Sequence, residues 1–468
     1  MTLSGSLIRA DLPGYAKNNP LYSGPWLVSG WLPVTIQIVA AIVLFAGIGR
    51  RSVGWFTVWL PSAAAIGAAG GWGVYWYVTS QGMADNPPPL MLWVWTGLAA
   101  AALVVAIGGW ASTGWGRRAI TVLAVPMCLL AAAVVLNQWI DYYDTVKLAW
   151  AALTAGPLPD ETDMATVQAL KGKGVTQTGR VVPIDISSDI SGFHHRTEYV
   201  YLPPVWFSAP SPPGLPVVVM ISGAWSTPAD WVRLGNVAVK MDSFAAAHGG
   251  AAPILLFPDT GGRFNNDTEC VNGPRGNVAD HITKELVPYV VSQFGASSHP
   301  DNWGVVGWSM GGTCAVNLTV THPELFHTFV DIAGDLTPNA GTKEQTVQRL
   351  YGGNEQQWAT FDTLTSMHTH APYHDAAGWF DVSSTAKIRP GQSQLTGPLA
   401  AKQLCTVGTS VGITCAVVTR TGNHDWAYAQ TAFAQAFPWI AGQLGTPGIP
   451  RTSLPGQSLP ANASPPHN

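Results

Sequence analysis

The first 140 residues carry only eight charged side chains, and these stand in small groups: Arg9, Asp11 and Lys17, then Arg50-Arg51, then Asp85, then Arg117-Arg118. Between the groups lie four uncharged windows, 18–49, 52–84, 86–116 and 119–140. A helix crosses the hydrocarbon core of a bilayer with about 20 predominantly apolar residues, and each window supplies them. The sequence therefore predicts four transmembrane helices within 31–140, with cores at Trp31–Gly49, Trp55–Val78, Leu90–Trp110 and Ala119–Ile140. A cleaved leader fits the first run poorly, because the run starts late and three similar ones follow it. Residues 1–30 are left as an N-terminal tail.

Orientation follows from the basic pairs. Cytoplasmic loops collect Arg and Lys, so the loops holding Arg50-Arg51 and Arg117-Arg118 are expected to face the cytoplasm, with Arg9 and Lys17 pulling more weakly the other way. The loop Met83–Pro89 then faces outward, and an even number of spans puts everything after Ile140 on the extracytoplasmic side. Trp26, Trp31, Trp93, Trp110, Trp115 and Trp139 fall near span ends, where aromatic belts form. Gln37, Asn137 and Gln138 are the strongly polar candidates inside the spans; transport normally needs ionisable groups there, so an anchoring role is expected. The Gly-rich stretch Gly67–Gly73 suits close helix packing in lipid.

Composition narrows the rest. Hydrophobic residues make up 47% of the 468 and charged ones 11%, the reverse of the bias that keeps a chain disordered. With 23 basic residues and a net charge of −4, no nucleic-acid footprint is expected. Residues 141–175 read as a juxtamembrane linker, with Tyr142–Thr154 a short helix at or near the interface. Beyond it, short β-type runs alternate with helical ones over 176–443. The candidate strands are Arg180–Ile186, Glu198–Leu202, Val217–Ser222, Ile254–Pro258, Trp303–Val306, Thr328–Ile332, Gly378–Ser383 and Cys415–Arg420. Ala279–Phe294, Gly312–Thr321 and Thr342–Tyr351 read as helices. Several strands are apolar throughout, as strands covered on both faces are, which points to one α/β domain with a mostly parallel sheet. Residues 444–468, rich in Pro, Gly and Ser, are expected to form a disordered tail.

Cys128 stands alone in the fourth span. Cys270, Cys314, Cys405 and Cys415 lie in the domain placed outside, where an oxidising compartment permits disulfides; Cys405 with Cys415 closes a short loop, and Cys270 with Cys314 is the other possible pair. All four as buried thiols is the alternative. No Cys/His spacing suggests zinc.

The sharpest motif is Gly307-Trp308-Ser309-Met310-Gly311, followed by Gly312. It lies between an apolar strand and a helical run, the context of a nucleophile elbow, where flanking glycines avoid Cβ clashes in a tight turn. The helix N-terminus and the Met310 amide face any negative charge that develops on a bound carbonyl. A second amide belongs to the turn Ser222-Gly223-Ala224-Trp225, from Ala224 or Trp225. The base is expected just after the last strand, where Thr421–Trp426 presents His424.

These residues, with Phe257-Pro258-Asp259, Asp267–Cys270 and His322-Pro323, make 176–443 resemble the esterase D, enterochelin-esterase and mycolyltransferase group of α/β hydrolases. Gly276-Asn277-Val278, Gly312-Thr313-Cys314 and Arg389–Gln392 are similar to actinobacterial membrane-anchored envelope esterases. The resemblance implies an α/β-hydrolase fold, Ser309 as nucleophile, His424 as general base, and Met310 with Ala224 or Trp225 as the oxyanion hole. It also implies a carboxylate just after the strand Gly378–Ser383. This chain has none there; Asp381, inside the strand, is the nearest candidate for the acid and Asp375 the second. His368, His370, His374 and Asp375 match no zinc signature and read as a lid segment, His194-His195 as a surface turn, and Asp259 and Asp267 as loop-shaping residues. The expected protein is a membrane-anchored, extracytoplasmic serine esterase acting on cell-envelope lipid esters, such as aminoacyl-phosphatidylglycerol or acyl glycolipids, without cofactor or metal. The alternatives are mycolyl or other acyl transfer on the same scaffold, and a catalytically impaired domain that binds lipid or a partner.

Overall fold

The computed structural model describes residues 23–49, 52–81, 88–140, 142–154, 156–384 and 396–457. The N-terminal tail to residue 22, Arg50-Arg51, Asp85 with most of its loop, Arg389–Gln392 and the tail from residue 458 lie outside them. The chain divides into two compact units, 1–155 and 156–468.

The first unit is built on four long helices, α1 (Trp31–Ile48), α2 (Leu60–Gln81), α3 (Leu90–Gly109) and α4 (Trp115–Ile140), with a π-turn over Trp55–Trp59 leading into α2. Among the described residues three segments, Trp31–Ile48, Leu90–Ser112 and Trp115–Ile140, are long and apolar enough to cross a membrane. The second expected span, α2, is less apolar than the other three helices: its 22 residues mix Gly, Ala and Ser with Trp and Tyr, which carry less purely aliphatic surface than Leu, Ile or Val. What α2 has instead is close packing. A Cβ on Gly67 would lie 2.8 Å from the Gly97 carbonyl oxygen of α3, and one on Gly71 would lie 2.7 Å from that of Trp93. Gly67 and Gly71 stand one turn apart, the small-xxx-small spacing that lets two helix backbones touch. The polar residues of the helices are engaged locally: Trp95 Nε1 donates to Gln37 Oε1 at 3.1 Å, Asn137 exchanges two hydrogen bonds with the Tyr143 backbone, and Gln138 donates to the Val28 carbonyl.

The second unit is organised by an eight-stranded sheet of β1 (Arg180–Ile184), β2 (Glu198–Leu202), β3 (Val217–Ile221), β4 (Ile254–Phe257), β5 (Trp303–Trp308), β6 (Thr328–Ile332), β7 (Ala377–Ser383) and β8 (Thr414–Arg420). Their spatial order is β1-β2-β4-β3-β5-β6-β7-β8. The β1–β2 and β2–β4 pairs are antiparallel and all others parallel. The parallel strands β3, β4, β5 and β6 are buried along their whole length, which is why they read as unbroken apolar runs. This is the α/β-hydrolase arrangement. The strands expected from sequence are present with shifts of a few residues at their ends. The run Ala279–Phe294 forms as three consecutive pieces, Val278–Asp280, a π-turn His281–Leu286 and Val287–Phe294. The helices Val237–Ala247, Gly397–Ser410 and α6 (Trp426–Gln443) were not expected; their alanine- and glycine-rich faces carry little periodic contrast.

Two disulfides are present, Cys270–Cys314 and Cys405–Cys415, and Cys128 is a buried free thiol. The first closes a span of 44 residues and the second one of 10, worth about 4 and about 2.7 kcal/mol of unfolded-state entropy on the loop-closure relation. The segment after Gln443 departs from the expected disordered tail as far as residue 457: Leu444 and Leu454 are buried and Gln457 donates to the Cys415 carbonyl at 2.7 Å.

Candidate active site

The parallel strands end on one edge of the sheet, where α/β folds place their ligands. Ser309 stands there, between β5 and helix α5 (Met310–Thr321), with φ 60° and ψ −125°. A serine reaches this left-handed region only where neighbours hold it. The turn leaves no room for other residues beside it: a Cβ on Gly307 would sit 1.7 Å from the Gly311 carbonyl oxygen, and one on Gly311 would sit 2.3 Å from that of Ile221. The strained turn lifts the hydroxyl out of the sheet. His424, in the loop between β8 and α6, meets it with Nε2 at 2.8 Å from Ser309 Oγ. The His424 ring leans on Trp308, with centroids 5.3 Å apart, and Trp308 packs in turn on Trp426.

The loop carrying His424 is clamped on both sides. Ser383 Oγ donates to the Gly422 carbonyl at 2.5 Å, Ser384 N–H to that of Arg420, and Asp425 caps α6 by accepting the Tyr428 N–H. Burial raises the Asp425 carboxyl above its ordinary value, against the lowering effect of the amides of Tyr428 and Ala427. Asp381 is fully buried and accepts from Arg420 through both of its oxygens, from Tyr428 Oη at 2.8 Å and from Trp379 Nε1 at 3.3 Å. Burial alone would lower the Arg420 guanidinium; the Asp381 carboxylate outweighs it and holds Arg420 above its usual range. Asp381 thus reaches the His424 loop through Arg420 at its start and Tyr428 behind it. Asp375 is exposed, as are His368, His370 and His374.

Met310 is the first residue of α5, so its N–H has no partner within the helix by position. The turn after β3 closes over it: a Cβ on Gly223 would lie 3.1 Å from Ser309 Cβ, and Ala224 and Trp225 follow, Trp225 with φ 71°. Arg196 braces that turn, donating through Nη2 to the Ser226 carbonyl at 2.9 Å while pairing with the buried Asp259. Asp259 does shape its loop as expected, accepting the N–H groups of Arg196, Gly261 and Gly262. The disulfide from Cys270 reaches the first turns of α5 at Cys314, tying the elbow helix to the Asp267–Cys270 segment. Beneath the elbow, Asp331 is buried with Oδ1 accepting the Gly334 N–H at 2.7 Å; burial pushes its carboxyl up to about 7.

The sequence names Asp381 but not its partners Arg420 and Tyr428, and it singles out neither Arg196 nor Asp331. The signal for the partners was present, since a carboxylate inside a buried strand requires one. In the expected surface turn His194-His195, His194 is exposed, whereas the His195 side chain is 7% exposed, held between the Ile186 and Arg196 carbonyls.

The family profile described as esterase matches residues 193–440. Over 427 residues the chain is 24% identical to an uncharacterized protein of Corynebacterium glutamicum, a match covering 88% of this chain and 95% of that protein; at that coverage it runs well into the first unit. Among solved structures the chain is similar to an S-formylglutathione hydrolase from Agrobacterium tumefaciens (18% identity, TM-score 0.46, 58% of this chain and 98% of that one). It is also similar to a fluorophosphonate-binding serine hydrolase of Staphylococcus aureus (16% identity, TM-score 0.44, 56% and 99%).

Proposed function

The chain belongs to the esterase family, and from that premise we propose that it is a membrane-anchored serine ester hydrolase whose catalytic domain lies outside the cytoplasm. The observation that carries the chemistry is the 2.8 Å contact between His424 Nε2 and Ser309 Oγ at the mouth of a helix N-terminus. His424 takes the Ser309 proton as Oγ attacks an ester carbonyl. The oxyanion is held by the Met310 N–H and that of Ala224 or Trp225. His424 then returns the proton to the leaving alcohol, and the acyl-enzyme passes its acyl group to water. An alcohol of a sugar or lipid in place of water makes the same enzyme an acyltransferase. Asp381 supplies the orienting role of the acid from one layer back, through Arg420 and Tyr428. No cofactor enters this chemistry.

The anchor reading rests on the apolar helices and on the near absence of charge from residues 1–140. Four crossings with Arg50-Arg51 and Arg117-Arg118 inside leave the second unit outside, and its two disulfides suit an oxidising compartment. A hydrolase held at that face has acyl lipids of the outer leaflet within reach, and we assign its substrates to envelope lipid esters, aminoacyl-phosphatidylglycerol and acyl glycolipids among them. A second reading, a hydrolase-fold domain that binds such lipids without turnover, draws on one observation: no acidic residue occurs in 382–395, where the fold expects one.

A fluorophosphonate probe tests the main reading on the full-length protein. Labelling of the wild type and none of Ser309→Ala supports it. Absence of labelling together with absence of ester turnover sinks it in favour of the binding domain. The topology has its own check: Pro450→Cys, at an exposed position, reacts with a membrane-impermeant thiol reagent in intact cells if the domain is outside.

A further inference from the structure

Linked to the oxyanion turn through Asp259 and Arg196 is a cluster of buried ionisable groups that ester hydrolysis does not use. Glu198 opens β2, His195 precedes it by three residues, and His281 and Glu285 lie in the π-turn of the 278–294 helical run. Such single π-turns collect at functional sites. Glu198 and His281 are fully buried and the His195 side chain is 7% exposed. From these residues we propose a divalent-metal site, ligated by His195 Nδ1, Glu198 and His281 Nε2, for which zinc is the fitting ion.

The donor atoms already converge. His281 Nε2 lies 3.0 Å from Glu198 Oε1, His195 Nδ1 lies 3.8 Å from Glu198 Oε2, and all three residues offer ligand atoms within 4.8 Å of one another. Zinc bonds of about 2.0–2.2 Å in a tetrahedron separate their ligands by about 3.3–3.6 Å, so small side-chain movements close the site. Each imidazole is oriented by its other nitrogen, as metal ligands are. His281 Nδ1 is 2.8 Å from Glu285 Oε2, a carboxylate fixed in turn by Ser191 and Ile190. His195 Nε2 is 2.9 Å from the Ile186 carbonyl.

The independent observation is Glu198 Oε2. It is buried and has no hydrogen-bond partner, and its 3.8 Å approach to His195 Nδ1 is too long for one. Leaving a buried charged acceptor unsatisfied is costly, and a cation between Glu198 and the two imidazoles removes that cost. His195 Nδ1 also faces the Arg196 carbonyl at 2.9 Å; metal binding exchanges that contact for a stronger one. Two imidazoles and a carboxylate form a nitrogen–oxygen set of the borderline kind zinc takes. With three protein ligands the fourth position of the tetrahedron falls to a water; the site is buried, and its role is to tie the 186–196 loop, β2 and the 278–294 run together. Its reach extends to the oxyanion turn, because Glu198 Oε1 also accepts the Asp259 N–H and Asp259 pairs with the Arg196 that holds Ser226.

Elemental analysis of the full-length protein, purified in detergent from zinc-supplemented cells, tests this without reference to catalysis. The expected result is about one zinc per chain, falling at least tenfold in Glu198→Gln and His281→Gln. Should either variant fail to fold, the wild type stripped with dipicolinate and reloaded with Co2+ reports instead, through the visible absorption of a tetrahedral cobalt site and recovery of its thermal midpoint. Folded wild type with less than about a tenth of an equivalent of zinc, no cobalt spectrum on reloading, or zinc content unchanged in both variants overturns the site and leaves the cluster as hydrogen-bonded ion pairs.

Discussion

The two units are both poor in charge, but they place their apolar surface in opposite ways. Among the described residues, every exposed large apolar side chain belongs to the first unit except Val175, Ile190, Val239, Phe264 and Leu399. Trp31, Phe45, Leu90 and Trp115 stand two-thirds or more exposed on its helices, while β3, β5 and β6 show no exposed residue. A water-soluble unit spends apolar side chains on its interior; one that covers itself with them has lipid as its natural solvent. The same contrast runs through the polar groups. In the first unit they are few and engaged one at a time, Gln37 with the Trp95 indole and Asn137 and Gln138 with backbone. In the second they gather in buried networks, Arg420–Asp381–Tyr428, Arg196–Asp259 and His281–Glu285, around one edge of the sheet.

If the second unit holds all the chemistry, the largest loss comes from its base. His424→Ala is expected to lower ester turnover by about 10⁴- to 10⁶-fold, the range for loss of a triad member, with membrane association unchanged; turnover within tenfold of wild type would move the base elsewhere. Asp381→Asn comes next. Acting through Arg420 and Tyr428, it displaces the His424 loop rather than removing a reacting group, and a misplacement on the ångström scale costs about 10²-fold. Steady-state kinetics should show the loss in kcat with KM little changed, and Tyr428→Phe should share part of it. A loss as large as that of His424→Ala would put the carboxylate directly on the base.

The first unit should answer differently. Gly67→Leu drives a side chain into the Gly97 backbone, so the thermal midpoint in detergent falls by several degrees while turnover changes less than about twofold. A proportionate loss of turnover would break the division of labour between the units. The smallest effect is a pH slope. The Asp331 carboxyl is raised by burial to about 7, so between about pH 4 and 7 the folded chain keeps a proton that the unfolded chain releases, and stability falls as pH rises across that window. Asp331→Asn should flatten that part of the midpoint-versus-pH curve; an unchanged slope assigns it to other groups.

Much of the site was legible because its constraints are local. Gly307 and Gly311 must be glycine for the turn beneath Ser309 to close, so the motif survives in the linear sequence, and His424 follows the last strand at the spacing the fold demands. The four cysteines of the second unit pair as their number allowed. The expectations were coarsest where local contrast was low: α2 is less apolar than its neighbours, and residues 444–457 read as disordered tail because Leu444 and Leu454 are isolated apolar residues among Pro and Gly. The missing carboxylate after β7 was legible as an absence. Its substitute was not, because Asp381 and Arg420 are 39 residues apart and meet only through the pairing of β7 with β8.

The amino-acid sequence by itself determined the features that depend on run length and turn sterics: apolar helices at one end, an α/β unit at the other, and a serine on a glycine-framed elbow. The tertiary structure alone decided which charges share a buried space, and so which carboxylates serve the His424 loop, the oxyanion turn and the His195–Glu198–His281 cluster. The physical reason is that burying a charge is affordable only beside its partner, and those partners arrive on strands and helices far apart in the chain. Glu198 and His281, separated by 83 residues, carry no mark of each other until the sheet is assembled.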